Sequence, residues 1–208
     1  MIKKIVFIVG ITSLILSCSP SSQVQSGALS NKNVSPDESA VIWQQTAAEY
    51  TALCHQAFNI AKKQLEFINN TSKSDMDVII LDIDETILDN SPYNAKLVLE
   101  DESYNLATWM DWTSKAEAEL VPGAFDFLMF AFELDYKVKF ISNRTVEELE
   151  NTLINLRKFG LSVNESDFLL KEDKSEKTSR RNQIIDQYNI IMLVGDNLAD
   201  FDLSLIHI

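Results

Sequence analysis

Glycine, histidine and cysteine are all scarce in this 208-residue chain, and each shortage closes off a class of function. The five glycines are Gly10, Gly27, Gly123, Gly160 and Gly195. No set of them fits the GxGxxG or Walker A spacing, so a dinucleotide fingerprint and a P-loop are excluded. The two histidines, His55 and His207, cannot build a His-rich zinc site, and neither stands in an Arg-His-Gly motif. The two cysteines are Cys18 and Cys54. A cysteine-nucleophile phosphate loop starting at Cys54 needs arginine at position 60, which is Ile60. Positive charge is short as well: 18 Lys/Arg stand against 31 Asp/Glu, a net charge of −13. That balance is the opposite of what a nucleic-acid backbone demands of a partner. What is present in abundance is aspartate, within an ordinary globular composition and a length sufficient for one core.

The N-terminus reads as an address. Lys3 and Lys4 precede an apolar run, Ile5 to Leu16, that is too short to cross a bilayer comfortably. A basic start followed by such a run is the pattern of a signal peptide, residues 1–17. The run ends Ile15-Leu16-Ser17-Cys18, which resembles a bacterial lipoprotein signal. That resemblance implies lipidation of Cys18 and a place at the bacterial cell envelope, the outer membrane above all. A plain secretory signal that happens to contain a cysteine is the alternative. Residues 18–35 are Ser-, Asn- and Gln-rich without apolar periodicity, and read as a flexible tether. Cys54 is then the one other thiol, with no partner for an internal disulfide.

Residues 36–208 read as one α/β domain. Ser35-Pro36-Asp37-Glu38 opens a helix, with Ser35 as cap, Pro36 in the first turn and Glu38 completing a capping box. About 30 helical residues follow, to about Ile68, in one piece or two. Val41, Ala48, Leu53, Ala57, Ile60, Leu65 and Ile68 make one expected buried stripe, with Cys54 and His55 in packing roles inside it. Val78–Leu81, Val138–Ser142 and Ile190–Val194 are apolar runs of the kind found in strands buried on both faces. A shorter strand is expected around Phe168–Leu170. Helical stretches lie between, at about 123–134, 146–159 and 177–187. Strands alternating with helices argue for a parallel sheet. Residues 93–120 break that rhythm and carry Tyr93, Tyr104, Trp109 and Trp112, which reads as an inserted cap over the carboxyl edge of the sheet.

The polar residues gather just after the apolar strands. The first strand leads into Asp82-Ile83-Asp84-Glu85-Thr86, the second into Ser142-Asn143-Arg144, the third into Gly195-Asp196-Asn197-Leu198-Ala199-Asp200. In open α/β sheets the site lies just outside the carboxyl ends of the strands. One aspartate after a strand serves equally well as a helix cap or turn residue; three polar clusters at three strand ends do not reduce to that. Asp82 and Asp84, two apart, face one side if the chain stays extended. Their repulsion is relieved by a divalent cation or by a retained proton. With no His or Cys nearby, the oxygen-rich set Asp82, Asp84 and Asp196 favours Mg²⁺.

These residues resemble a known family. Ile80-Leu81-Asp82-Ile83-Asp84-Glu85-Thr86-Ile87-Leu88-Asp89-Asn90-Ser91-Pro92-Tyr93 and Val194-Gly195-Asp196-Asn197-Leu198-Ala199-Asp200-Phe201 are similar to the two signatures of the bacterial class C nonspecific acid phosphatases. These are lipoprotein 5′-nucleotidases of the HAD (haloacid dehalogenase-like) superfamily. The likeness runs from about Trp43 to Phe201, through Trp109-x-x-Trp112 and Val121-Pro122-Gly123-Ala124. It implies a HAD-like Rossmannoid parallel sheet and Mg²⁺-dependent hydrolysis of small phosphomonoesters, nucleoside monophosphates first. Asp82 then resembles the nucleophile and Asp84 the acid and base, its main-chain carbonyl also serving the metal. Asp196 resembles the other carboxylate ligand and Asp200 a support of the metal site. Ser142 and Lys177 resemble the groups that hold the phosphoryl oxygens. Lys171 and Lys174 compete with Lys177, but Lys177 opens a helical stretch, where N–H groups favour an anion. Asn143, Tyr104 and Trp109 are candidate substrate contacts, Trp112 a packing residue, and Arg144 either a site residue or a structural ion pair.

Two other readings stand beside this one: a HAD phosphatase or phosphotransferase for other small phosphates, and a non-enzymatic surface lipoprotein. The family runs on past Phe201, and Leu203–Ile208 does not resemble its continuation. A truncated C-terminus is therefore expected, leaving Ile190–Val194 as an apolar edge strand prone to aggregation.

Overall fold

The computed structural model describes residues 35–201. The leader, Cys18, most of the tether and Leu203–Ile208 lie outside the described residues, so the expectations placed on them have no structural counterpart here. No helix among the described residues is long and apolar enough to cross a membrane.

Two helices come first, α1 (Pro36–Thr46) and α2 (Ala48–Thr71). The Ser35 hydroxyl accepts from the Glu38 N–H at 3.0 Å, as the capping pattern predicts. The break between the helices falls at Ala47, in extended conformation, without proline or glycine. Thr46 contributes to it: its hydroxyl donates to the Ile42 carbonyl, a bond that competes with the helix ladder.

The expected stripe on these helices is a correction. Phe58 and Leu65 are the buried residues of α2, whereas Leu53 and Ile60 are 48% and 60% exposed. The helix is turned so that Phe58 meets Phe127 of α5 (Ala124–Glu133), ring centroids 5.5 Å apart. Leu53, Ala57 and Ile60 instead line an open groove of about 550 Å³ with Met192, Leu193 and Phe201. Cys54 borders the same groove and His55 is exposed.

The main sheet has four parallel strands in the order β5-β4-β1-β6. These are β1 (Asp77–Leu81), β4 (Lys137–Thr145), β5 (Phe168–Lys171) and β6 (Asn189–Val194). Every residue of β1 is buried, and its alternate side chains feed two cores. Ile79 and Leu81 pack with α2, α5 and α6 (Leu149–Lys158) on one face. Val78 and Ile80 pack with Ile184 of α7 (Thr178–Ile185) on the other. Helices on both faces of a parallel sheet are the expected architecture. Among the described residues β6 pairs only with β1 and forms one edge.

The insertion after β1 has a base that the sequence does not announce. Strands β2 (Leu88–Asp89) and β3 (Glu119–Leu120) pair antiparallel, Leu88 with Leu120. Between them lie α3 (Ser91–Glu100) and α4 (Leu106–Ser114), which carry three of the cap's aromatic residues.

Candidate active site

Register places the site. Leu81 stands opposite Phe140 on β4 and Val194 on β6. Asp82 is one residue beyond Leu81, and Ser142 and Asp196 are two beyond Phe140 and Val194, so all three gather at the same end of the sheet. Strand order reverses across β1, the position where open α/β sheets leave a crevice.

Asp82 follows β1 directly, its N–H donating to the Val194 carbonyl at 2.9 Å. Carboxylate oxygens of Asp82, Asp196 and Asp200 lie within 4.8 Å of one another. Lys177 precedes α7 and reaches into this group. Its Nζ donates to Asp82 Oδ1 at 2.6 Å and to Asp200 Oδ1, and the side chain is only 5% exposed. Lys174 is exposed and Lys171 half-exposed, so Lys177 is the buried cation of the three. Asp200 is fixed by a capping box: its Oδ2 accepts from the Asn197 N–H at 2.9 Å. A Cβ at Gly195 would collide with the Asp200 side chain, so the close return of this turn onto β6 requires glycine there.

Three carboxylates, Asp82 and Asp200 buried and Asp196 exposed, against one lysine leave this group with excess negative charge. Burial pushes Asp82 up to about 7, against the pull of Lys177, with Asp200 and Asp84 adding to the rise. Burial and then Asp200 raise Asp196. Glu85 is pushed up to about 8, by burial first and then by Asp84. An all-oxygen donor set with surplus charge fits a hard divalent cation, held by Asp82, Asp196 and Asp200.

Asp84 does not join that group through its carboxylate. The chain leaves the extended state after Asp82: Ile87 and Leu88 N–H groups return to the Ile83 carbonyl, and Glu85 takes a left-handed φ of 59°. The two-residue alternation thus fails, and the Asp84 carboxylate turns to Arg144. Arg144 Nη2 and Nε donate to Asp84 Oδ1 at 2.8 and 3.0 Å. Arg144 is itself buried, anchored by Nη1 on Thr152 Oγ1 at 2.9 Å. The ion pair is structural, and it also sits in the site.

Strand β4 continues through Ser142, Asn143 and Arg144, and an irregular register against β5 begins after Ile141. Irregularities of this kind re-aim side chains. Ser142 and Arg144 are buried, with Ser142 Oγ 3.4 Å from Asp84 Oδ2. Asn143 is exposed, and its Oδ1 accepts from Arg180 Nη2 at 2.8 Å. The structure therefore does not bring Asn143 to the cluster. Tyr93, Tyr104 and Trp109 cluster edge-on and tilted, with centroids 5.2–6.5 Å apart. Arg144 stands 5.8 Å over the Trp109 ring, which joins that cluster to Asp84.

Sequence reasoning missed Asn90 and Arg180. Asn90 lies inside the quoted first signature but looks like a helix cap. Arg180, buried, braces the Ser142 carbonyl from α7, and one arginine in a polar helix carries no signal of that.

The family model for HAD superfamily, subfamily IIIB (acid phosphatase) matches residues 5–204. The chain belongs to this subfamily. A class C acid phosphatase from Bacillus anthracis is similar in structure, with a TM-score of 0.76 and 36% identity over 79% of this chain and 70% of that one. The Bacillus anthracis class C acid phosphatase with tungstate bound is similar to the same degree, TM-score 0.76 at 35% identity, with the same coverage. A soybean (Glycine max) stem 28 kDa glycoprotein is 31% identical over 133 residues, 60% of this chain and 52% of its own length. A soybean stem 31 kDa glycoprotein matches at 31% over 133 residues, 45% of its length. The chain spans about half the length of these two curated relatives. Asp82, Lys177 and Asp200 form a buried ion cluster beside the ends of β1 and β6.

Proposed function

We propose that this protein is a Mg²⁺-dependent acid phosphatase that hydrolyses small phosphomonoesters through an aspartyl-phosphate on Asp82. The observation that carries the reading is Lys177 Nζ held between the buried Asp82 and Asp200, with Asp196 beside them. Phosphoryl transfer asks for positioning and charge neutralisation around three equatorial oxygens rather than covalent ingenuity. The tungstate bound by the Bacillus relative, an oxyanion, supports an anion site of this kind.

In the first half-reaction Asp82 attacks phosphorus, its O–P bond forming as the ester P–O bond breaks. Asp84 passes a proton to the departing oxygen. In the second, water attacks the phosphoryl group, Asp84 takes the proton back, and the Asp82 carboxylate is released with phosphate. Lys177 and the Ser142 hydroxyl hold the phosphoryl oxygens. Asp82, Asp196 and Asp200, with the Asp84 main-chain carbonyl, would hold Mg²⁺, whose contribution is neutralisation of phosphoryl charge. Tyr104, 61% exposed, and Trp109 offer π-faces to a nucleobase, which favours nucleoside monophosphates. A lipid on Cys18 places the enzyme at the bacterial envelope.

Phosphate release from a panel of nucleoside and sugar phosphates, with EDTA and then with Mg²⁺ restored, tests the reading. Turnover that is lost on chelation and recovered with Mg²⁺ is expected; full turnover after exhaustive chelation rejects it. Labelled fatty acid should enter the wild type and not Cys18→Ser. Soluble, unlabelled wild-type protein rejects the anchor.

A further inference from the structure

The two oxygens of Asp84 are unlike. Oδ1 accepts from Asn90 Nδ2 at 2.9 Å, Arg144 Nη2 at 2.8 Å and Arg144 Nε at 3.0 Å. Oδ2 has only longer contacts, 3.3 Å to Arg144 Nε and 3.4 Å to Ser142 Oγ. A carboxylate oxygen offers two lone pairs, so Oδ1 is filled and has no room for a proton. Oδ2, on the Ser142 side, is the oxygen left for chemistry.

Asn90 is wholly buried, and its amide has one possible orientation. Trp112 Nε1 lies 2.9 Å from Asn90 Oδ1. An indole N–H only donates, so it must meet the amide oxygen and leave the NH₂ group facing Asp84. The Asn90 main-chain N–H is tied in turn to Glu85 Oε1 at 3.1 Å. Trp112 belongs to α4, so the chain Trp112–Asn90–Asp84 runs from the cap into the site.

We propose that Asn90 and Trp112 are positioning residues for the reaction, a relay from the cap that holds the Asp84 carboxyl with Oδ2 toward the leaving oxygen. The inference rests on the reading of Asp84 as proton donor. When the ester P–O bond breaks, the proton on Oδ2 moves to the departing oxygen while Oδ1 stays clamped. In the first half-reaction, which kcat/KM reports, the relay therefore serves leaving groups that need a proton and is idle for those that do not.

The test compares phenyl phosphate, a poor leaving group, with 2,4-dinitrophenyl phosphate, a good one, on the full chain. Trp112→Phe keeps an aromatic ring at the position and removes the N–H; Asn90→Ala removes the amide. Each should lower kcat/KM for phenyl phosphate about tenfold, a part of the 10²–10⁴ that general acid catalysis supplies. Each should leave 2,4-dinitrophenyl phosphate within about threefold of wild type, since no proton is needed there. The double variant should be no worse than Asn90→Ala, because the two residues act in series. Equal losses on both substrates would mean a merely structural role and would overturn the relay. So would wild-type kcat/KM for Trp112→Phe on phenyl phosphate, a variant that keeps an aromatic ring at the position even if Asn90→Ala does not fold. Wild-type protein inert toward both substrates would overturn the phosphatase reading, and the relay with it.

Discussion

Lys177 Nζ lies 2.6 Å from Asp82 Oδ1, a buried ion pair between residues 95 apart in sequence. Asp82 comes off the central strand and Lys177 off the start of a helix on the opposite side of the chain's path. The pair exists only because β1 and α7 are brought to the same end of the sheet. Its two members should respond differently to mutation. Lys177→Ala strands Asp82 and Asp200 without a cation, a loss of about 3–5 kcal/mol typical of broken buried pairs. Asp82→Asn removes one of the repelling carboxylates and should abolish turnover with stability preserved. Urea melts and phosphate release on both variants check this; Asp82→Asn retaining more than about a tenth of activity, well above what loss of a nucleophile permits, rejects its role.

Asp84→Asn should fall short of the Asp82 phenotype. It loses the acid and base but keeps the nucleophile, so a drop of about 10²–10⁴ is expected. Single-turnover kinetics with a good leaving group should recover much of the first step and little of the second. Identical defects in both half-reactions with every substrate would remove Asp84 from the proton's path.

Stability without metal should decline as pH rises. Asp82 and Glu85 have folded-state values of about 7 and about 8, above their ordinary 3.8 and 4.5. Between those limits the folded chain binds more protons than the unfolded one, so unfolding becomes easier with increasing pH. In EDTA, Tm should be lower at about pH 8.5 than at about pH 5.5, and Glu85→Gln should flatten the slope. A Tm that climbs across this window in both proteins contradicts the shifts.

Gly195→Ala should damage the site from behind. The new Cβ meets the side chain of Asp200 close to its own backbone, where it cannot swing aside. Overpacking of this kind costs about 1–3 kcal/mol, and here it also pulls Asp200 away from Lys177. Activity should fall more than tenfold, as expected when a charged group is displaced by about 1 Å. Wild-type activity in Gly195→Ala would show that the turn can relax freely.

The strands, the parallel sheet and the polar clusters at the strand ends were legible in the sequence alone. Val78–Leu81 and Ile190–Val194 are apolar without alternation, and only a strand covered on both faces needs that pattern. The positions of Asp82, Ser142 and Asp196 could be read from where apolar runs stop, whereas the roles expected of them and of Lys177 came from the likeness to the class C acid phosphatases. Tertiary structure decided what no local pattern encodes. The chain's turn after Asp82 sends Asp84 to Arg144 rather than to the carboxylate cluster, and Asp200 takes the vacated position beside Asp196. The facing of α2 is set by Phe127, so Phe58 is buried while Leu53 and Ile60, equally apolar, are not. Asn90 and Arg180 were invisible for the same reason. Their partners, Trp112 and the Ser142 carbonyl, are 22 and 38 residues away, and a hydrogen bond leaves no periodicity in sequence. Hydrophobic burial follows a repeating pattern that the chain carries in its order. The direction of one polar side chain depends on which distant donor arrives beside it, and that is settled only when the elements pack.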